Sequence, residues 1–519
     1  MKHLITIVAA SAMLYACGSS QNKSETKTVT KETADVTTYA NTITEAELKT
    51  ALYTYASDEF LGRETGKPGQ KMAVNYIRDT YKNLGIAAAQ SNGNYFQDVA
   101  LEINDVPTVS ITNKGKTFKN IEDFVSVTAS KTGVINANEI IYAGFGIEDN
   151  AYNDYKNLDL NGKVVLIKSG EPKNEDGTYL ISGTEEASKW SNYRQQFASK
   201  KDIAEAKGAK AVLFYYPEVY AMASNRFGKS SGRMSLAGKT DSMYYFLINT
   251  AFAKSLVKDI ETNHTTKTVE TSLNVDYKNN AKPVASENVA AFIKGSEKPD
   301  EYVIISAHLD HEGVKEGEIY NGADDDGSGT VAVLEIAEAF AQARKDGNGP
   351  KRSVVFLNVT AEEKGLLGSA FYTDIDPIFP LTNTVANLNI DMIGRTDPKR
   401  EKRNRDYLYL IGSDKLSTDL HNISEEANSK YMNIDLDYTF NDDNDPNRFY
   451  YRSDHYNFAK NNIPVIFYFN GTHDDYHQPS DTPDKIQYDL LENRTRLIFY
   501  TAWEVANRKD RLVVDKTAK

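Results

Sequence analysis

The chain has 519 residues, more than one ordinary hydrophobic core accommodates, so two or more domains are expected. Hydrophobic residues make up 40% of the chain and charged residues 26%, a balance typical of soluble globular proteins. The formal net charge of −13 argues against nucleic-acid binding, which needs a basic face to neutralise phosphates.

The first residues of the chain predict export. Lys2 and His3 precede an apolar run over residues 4–12, which is too short for a comfortable membrane span. This pattern is typical of a secretory signal peptide, here over residues 1–16. The segment before Cys17 resembles a bacterial lipobox, in which the cysteine is lipidated; a plain signal peptide is the alternative. The lipobox implies a protein anchored by its lipid in the bacterial cell envelope, at the outer membrane or the periplasmic face.

Residues 17–43 are rich in Ser, Thr, Lys and Glu, and we expect them to form a flexible tether. Cys17 is the only cysteine, so a lipid at this residue leaves no thiol for a disulfide or a metal. Helical periodicity begins at Thr44, whose spacing from Glu47 is that of a capping box. A second amphipathic helix follows over residues 72–84.

Residues 106–282 change to short strands and turns, with strands predicted at 139–143, 163–167 and 211–215 and a helix at 200–207. The run from Ile141 to Gly146 and the segments that follow it resemble a protease-associated (PA) domain; an unrelated β-rich insertion is the alternative. We expect the N-terminal helices to pack on the sheet that follows. Residues 44–105 and 283–510 then form one domain, and residues 106–282 are inserted into it.

From residue 288 onward, apolar strands alternate with helices. Strands are predicted at 302–307, 353–359, 386–390 and 464–469, and a strong helix at 328–343. The pattern predicts an α/β fold, with a mixed, mostly parallel sheet flanked by helices.

Acidic residues and histidines stand at or just after these strand ends. The motifs are His308-Leu309-Asp310-His311, the run from Gly322 to Gly329, Glu362-Glu363, Asp391 and the loop containing Tyr476-His477. Carboxyl ends of strands meet at one crevice, so these groups converge. Several buried carboxylates tolerate one another only with cations between them. Mixed His and carboxylate ligands suit zinc, with manganese or cobalt as alternatives.

Together these motifs resemble the M28 family of zinc peptidases, which have the zinc exopeptidase fold, and the resemblance covers most of residues 44–508. It implies two Zn²⁺ per chain: His308 and Asp391 on one, Glu363 and His477 on the other, and Asp325 bridging them, followed by a cis peptide. Within the acidic run, Asp324 or Asp326 would bridge instead if the alignment were shifted by one residue. The resemblance makes Glu362 the general base, Asp310 the residue that orients His308, and Tyr476 a stabiliser of the oxyanion.

The implied function is that of a two-zinc exopeptidase acting on peptide substrates, with aminopeptidase activity favoured. Carboxypeptidase activity and other amide hydrolysis remain open, as do a single-zinc acyltransferase of the glutaminyl-cyclase type and a non-catalytic binding protein. The oligomeric state is left open.

Other motifs carry weaker expectations. Ser453-Asp454-His455 is expected beside the site or on the substrate side, and Gly228–Gly232 as a flexible loop. Residues 441–445 are expected to be a solvated acidic loop, with a calcium or substrate-amine site as the alternative. His311 and His473 match no ligand position, although His473 is expected to shape the pocket.

Overall fold

The structure, a computed structural model, describes residues 35–238, 240–400 and 402–517. The predicted signal peptide, Cys17 and the first part of the predicted tether therefore lie outside the described residues. In the part of the chain that is described, no helix combines the length and apolar character needed to cross a membrane.

The described residues form eleven α-helices. In chain order they are α1 Thr37–Ala40, α2 Glu45–Tyr55, α3 Pro68–Asn83, α4 Gln195–Ala206, α5 Pro217–Phe227, α6 Thr250–Leu256, α7 Gly329–Lys345, α8 Leu367–Asp374, α9 Thr418–Ala427, α10 His455–Ala459 and α11 Tyr488–Asn507.

The same residues form twenty strands. They are β1 Ala87–Ala88, β2 Phe96–Ile103, β3 Thr108–Asn113, β4 Lys116–Phe118, β5 Phe124–Ser126, β6 Gly133–Tyr142, β7 Val164–Lys168, β8 Ala211–Tyr215, β9 Met234–Leu236, β10 Tyr244–Ile248, β11 Lys267–Lys278, β12 Lys282–Ile293, β13 Lys298–His308, β14 Gly313–Lys315, β15 Glu318–Tyr320, β16 Arg352–Val359, β17 Thr384–Ile390, β18 Tyr407–Ile411, β19 Asp435–Asp437 and β20 Val465–Phe469.

The larger sheet has the order β19-β18-β20-β17-β13-β16-β12-β2-β9, and β1 also pairs with β12. Its centre, β16-β13-β17-β20, is parallel, whereas β12, β2 and β9 on one side pair antiparallel. The predicted mixed α/β fold is confirmed. The central strands are buried along nearly their whole length, as expected where both faces of a sheet are covered.

Helices α2, α3, α7 and α11 contribute to one core with the central strands. Helix α7 is the strong helix predicted at 328–343, and almost every residue along it is buried. Helix α3 contacts β12, whereas α2 contacts α7 and α11, and both N-terminal helices share one core with the sheet. This packing leaves the carboxyl ends of the parallel strands to carry the polar motifs.

The end of the predicted tether is packed rather than free. Tyr39, Ala40 and Ile43 are buried in the core of the larger sheet, and the ring of Tyr39 lies 5.7 Å from that of Trp503. Burial of these apolar side chains stabilises the short helix α1. The boundary predicted at residue 43 is therefore too late, and the packed chain already includes residue 36.

An eight-stranded sheet, in the order β4-β3-β11-β6-β7-β8-β10-β5, lies within residues 108–278 and has its own cores on its two faces. This sheet includes the three strands predicted in residues 106–282, and the predicted helix corresponds to α4. One strand within residues 106–282 does not belong to this sheet: β9 pairs with β2 at the edge of the larger sheet. The Gly228–Gly232 motif lies in the irregular segment between α5 and β9.

Candidate metal centre

The predicted site residues meet at the carboxyl ends of the parallel strands. His308 ends β13, Glu362 and Glu363 follow β16, and Asp391 follows β17. Asp325 lies in the segment before α7, and His477 in the loop after β20. Five separate segments of the chain therefore supply one cluster, as expected where strand ends converge.

Asp325 stands at the centre of the cluster, and its two carboxylate oxygens face different partners. Oδ1 lies 3.1 Å from His308 Nε2, which is itself 3.6 Å from Asp391 Oδ1. Oδ2 lies 2.9 Å from His477 Nε2, which is itself 3.3 Å from Glu363 Oε2. The peptide bond after Asp325 is cis, as the resemblance implies.

The donor atoms of this cluster fit zinc. His308 Nε2, Asp325 Oδ2 and Glu363 Oε1 are buried and have no hydrogen-bond partner among the described residues. Buried polar atoms without partners are costly, and a cation among them removes the cost. Imidazole nitrogens and carboxylate oxygens are zinc ligands, and the donors of His308, Asp325 and Asp391 lie within 4.8 Å of one another.

Glu362 differs from Glu363 in its surroundings. It belongs to no candidate group of metal donors found in the described residues, and it lines a small cavity with Asp325, Asp391 and Tyr476. Burial raises the pKa of Glu362 well above its ordinary value, and the charges of Glu363 and Asp391 raise it further against the lowering effect of His308. The carboxylate therefore faces the cavity as a group that favours taking up a proton.

Asp310 contacts His308 through its backbone. His308 Nδ1 lies 3.0 Å from the backbone carbonyl oxygen of Asp310, whereas the Asp310 carboxylate is 4.0 Å away. The carboxylate accepts hydrogen bonds from the Glu362 backbone N–H at 3.1 Å and from Thr65 Oγ1 at 2.7 Å. Asp310 thus holds His308 through its backbone and Glu362 through its side chain.

Tyr476 lies beside the cluster. Its ring stacks on that of His477 with 3.9 Å between centroids, and burial is the main cause that raises its pKa above the ordinary value. The phenol therefore stays protonated at neutral pH and can donate a hydrogen bond into the cavity that it shares with Glu362.

Two further residues hold the cluster in place. Ser453 Oγ donates a 2.6 Å hydrogen bond to Asp391 Oδ2, which agrees with the expected place of its motif beside the site. The Asp481 carboxylate accepts hydrogen bonds from the backbone N–H groups of Asp324 and Asp325, at 3.0 to 3.2 Å. Sequence reasoning missed Asp481, although it lies in the same loop as His477.

Two further histidines, His473 and His311, contact acidic residues of the cluster. His473 Nε2 lies 3.1 Å from Asp324 Oδ2, which agrees with its expected role in shaping the site. His311 Nδ1 lies 2.9 Å from Glu363 Oε1, a contact that sequence reasoning missed.

Residues 441–445 line a surface cavity of about 950 Å³, and no metal-donor group found in the described residues includes them.

The part of the chain that contains this cluster is similar to a known protein family. Residues 288–502 match the model of peptidase family M28. This segment is similar to the M28 peptidases. The matched segment contains all five predicted ligands and Glu362, and it ends within α11.

Individual relatives match this chain at low identity or over short segments. The Arabidopsis thaliana protein named "Probable glutamate carboxypeptidase LAMP1" is 35% identical over 119 residues, which are 23% of this chain and 16% of that relative. The "probable leucine aminopeptidase 2" of Aspergillus oryzae is 26% identical over 347 residues, 66% of this chain and 56% of that relative. A solved zinc aminopeptidase of Bacillus subtilis is 20% identical, with a TM-score of 0.46 and coverage of 90% and 96%. The chain spans about a sixth of the length of the first curated relatives it matches.

Proposed function

We propose that this protein is a two-zinc exopeptidase that releases single residues from the amino end of peptides. The observation that carries the proposal is the position of Asp325, whose two carboxylate oxygens face two separate sets of donors. In this proposal His308 and Asp391 hold one zinc, Glu363 and His477 hold the other, and Asp325 bridges them. When bound, such a pair supplies Lewis acidity that polarises a peptide carbonyl and activates water.

Glu362 is proposed as the general base. It faces the cavity beside Asp325 and Asp391 without belonging to a donor group, so its carboxylate is free to accept the proton of the attacking water. The same carboxyl group then donates this proton to the departing amine. Asp310 fixes the Glu362 backbone, and Tyr476 is placed to donate a hydrogen bond to the developing oxyanion.

Aminopeptidase activity is favoured because, of the two curated relatives described above, the one with the longer match is named as an aminopeptidase. The more similar but shorter match, to a relative named as a glutamate carboxypeptidase, supports carboxypeptidase activity as the second candidate. The presence of all five proposed ligands together with Glu362 speaks against a binding protein that has lost its metals. A second complete set of donors speaks against a single-zinc acyltransferase.

The test is a cleavage profile of the purified protein on matched peptides that are unblocked, N-acetylated or C-amidated, read by mass spectrometry. Stepwise loss of N-terminal residues from unblocked and amidated peptides is expected, with no cleavage of acetylated ones. A chelator is expected to abolish the release, and added zinc to restore it. Cleavage that requires a free carboxyl end would support the carboxypeptidase instead, and no cleavage at all would refute both.

The proposal extends to the rest of the chain. We propose that residues 1–16 are removed on export and that lipid on Cys17 anchors the protein in the cell envelope. Residues 44–105 and 283–510 are proposed as the catalytic domain, and residues 106–282 as a PA-like insertion that limits access to the site. Mass spectrometry of the membrane-extracted protein tests the lipid: an unmodified Cys17, or an N-terminus elsewhere, would contradict the anchor.

A further inference from the structure

His311 is a buried histidine in the metal cluster to which the proposed function gives no role. It follows Asp310 directly after β13, and its side chain is 0% exposed. Its Nδ1 lies 2.9 Å from Glu363 Oε1 and 3.8 Å from Asp325 Oδ2. These three residues form a group whose donor atoms all lie within 4.8 Å of one another.

The short contact between His311 and Glu363 does not have the alignment of a hydrogen bond. Both His311 Nδ1 and Glu363 Oε1 are buried and without a hydrogen-bond partner among the described residues, although they are 2.9 Å apart. A hydrogen bond needs the N–H to point at the acceptor, so two atoms this close without one are directed elsewhere. The same combination marks the proposed ligand His308, whose Nε2 is 3.1 Å from Asp325 Oδ1 and also lacks a partner.

Donors that converge on one cation produce this geometry. Two atoms that each lie about 2 Å from a tetrahedral zinc are about 3.3 Å from one another, and their lone pairs point at the metal rather than at each other. The distances from His311 Nδ1 to Glu363 and Asp325, 2.9 and 3.8 Å, fall on either side of that value.

The ring of His311 is held in this place by packing. A Cβ atom added at Gly322 would lie 2.5 Å from the His311 ring and 2.2 Å from the Asp325 carbonyl oxygen. Gly322 also has a φ of +53°, so glycine is favoured there for its backbone as well. On another side, the His477 ring stands edge-on to His311, with 5.7 Å between centroids.

We propose that His311 is a further protein ligand of the metal ion that Glu363 and His477 hold, and that it binds through Nδ1. The proposal rests on the proposed function only in that the site holds two metal ions. The cluster then supplies three imidazoles to two ions. The ion at Glu363 and His477 has one more nitrogen ligand than the ion at His308 and Asp391.

The first test counts imidazoles by zinc X-ray absorption of the full-length protein loaded with two equivalents of Zn²⁺. Three imidazoles for two zinc ions are expected in the wild type, and two in His311→Gln. A wild-type signal that corresponds to two imidazoles would overturn the proposal even if the variant did not fold.

The second test measures Zn²⁺ affinity by calorimetric titration of the metal-free protein. In His311→Ala and His311→Gln, one of the two affinities is expected to fall about 10- to 100-fold while the other is unchanged. His421→Ala is the control and is expected to keep both affinities, because His421 is a half-buried histidine of α9 that lies beside Ser413 and belongs to no donor group found in the described residues. If glutamine restores wild-type affinity, His311 acts only as a hydrogen-bonding group, and the proposal is refuted.

Neither readout depends on turnover, so the two proposals fail separately. A wild type that binds two zinc ions with three imidazoles but releases no residue from any peptide would refute the exopeptidase and leave the ligand in place. A protein that releases N-terminal residues with only two imidazoles on its zinc ions would refute His311 as a ligand and leave the exopeptidase in place.

Discussion

Replacing Asp481 with alanine tests whether the loop of His477 holds Asp325, the proposed bridging ligand, in place. The Asp481 carboxylate accepts hydrogen bonds from the backbone N–H groups of Asp324 and Asp325, and its side chain is fully buried. Alanine leaves two buried N–H groups without acceptors. Each costs about 1 to 3 kcal/mol, so the free energy of unfolding should fall by about 2 to 6 kcal/mol.

The measurement is urea denaturation of the metal-free protein, followed by Zn²⁺ titration of the folded variant. Because Asp325 loses one of its supports, zinc affinity is also expected to fall, by about 10- to 100-fold. Asp484→Ala is the matched control, since Asp484 is exposed three residues further along the same segment. The reasoning is refuted if Asp481→Ala unfolds within about 0.5 kcal/mol of this control and binds zinc as tightly as the wild type.

Three other changes test neighbouring parts of the structure. Glu362→Gln should keep both metals but lower kcat by about 10²- to 10⁴-fold, and unchanged turnover would remove Glu362 from the role of base. Ser453→Ala removes the 2.6 Å hydrogen bond to Asp391 and should weaken zinc binding by about 10- to 100-fold in calorimetry; equal affinity would contradict this. Burial, with a smaller contribution from the negative charges of Glu338 and Glu47, raises the pKa of Glu335 from 4.5 to about 8. The neutral carboxyl group therefore stabilises the fold fully below pH 4.5, and this stability is lost as the pH rises through 8. Glu335→Gln should therefore stabilise the metal-free protein against urea by up to about 5 kcal/mol above pH 8 and by almost nothing near pH 4; an equal effect at both would refute the assigned pKa.

The sequence was sufficient to predict the central strands and the convergence of His308, Asp325, Glu363, Asp391 and His477. His308 and Asp391 stand at the ends of apolar strands and Asp325 precedes a strongly periodic helix, and such signals are local. Glu363 and His477 lie in the segments that follow two further apolar strands. The parallel order of the strands then dictates that their ends meet. The ligand roles came from the resemblance to M28 peptidases, and the match over residues 288–502 supports that resemblance.

The contacts around the ligands could not be predicted in the same way. Nothing in the sequence around His311 or Asp481 marks it as a contact of the site. Only the packing of separate loops brings His311 to Glu363 and Asp481 to Asp325. The sequence does not say which atom of Asp310 contacts His308, and the segment after β13 places its backbone carbonyl nearer than its carboxylate. The Thr-rich composition before residue 44 likewise concealed Tyr39 and Ile43, whose burial depends on helices far along the chain.

The pairing of β9 with β2 limits which truncated forms of this protein can fold. Cutting out residues 106–282 would remove Met234–Leu236 and leave Leu101, Glu102 and Ile103 without their neighbouring strand. A bare strand edge invites pairing with other chains, so such a deletion would produce aggregation that looks like a loss of activity. A shortened chain suited to studying the proposed catalytic domain alone has to carry this three-residue strand, joined back to β2 by a new loop.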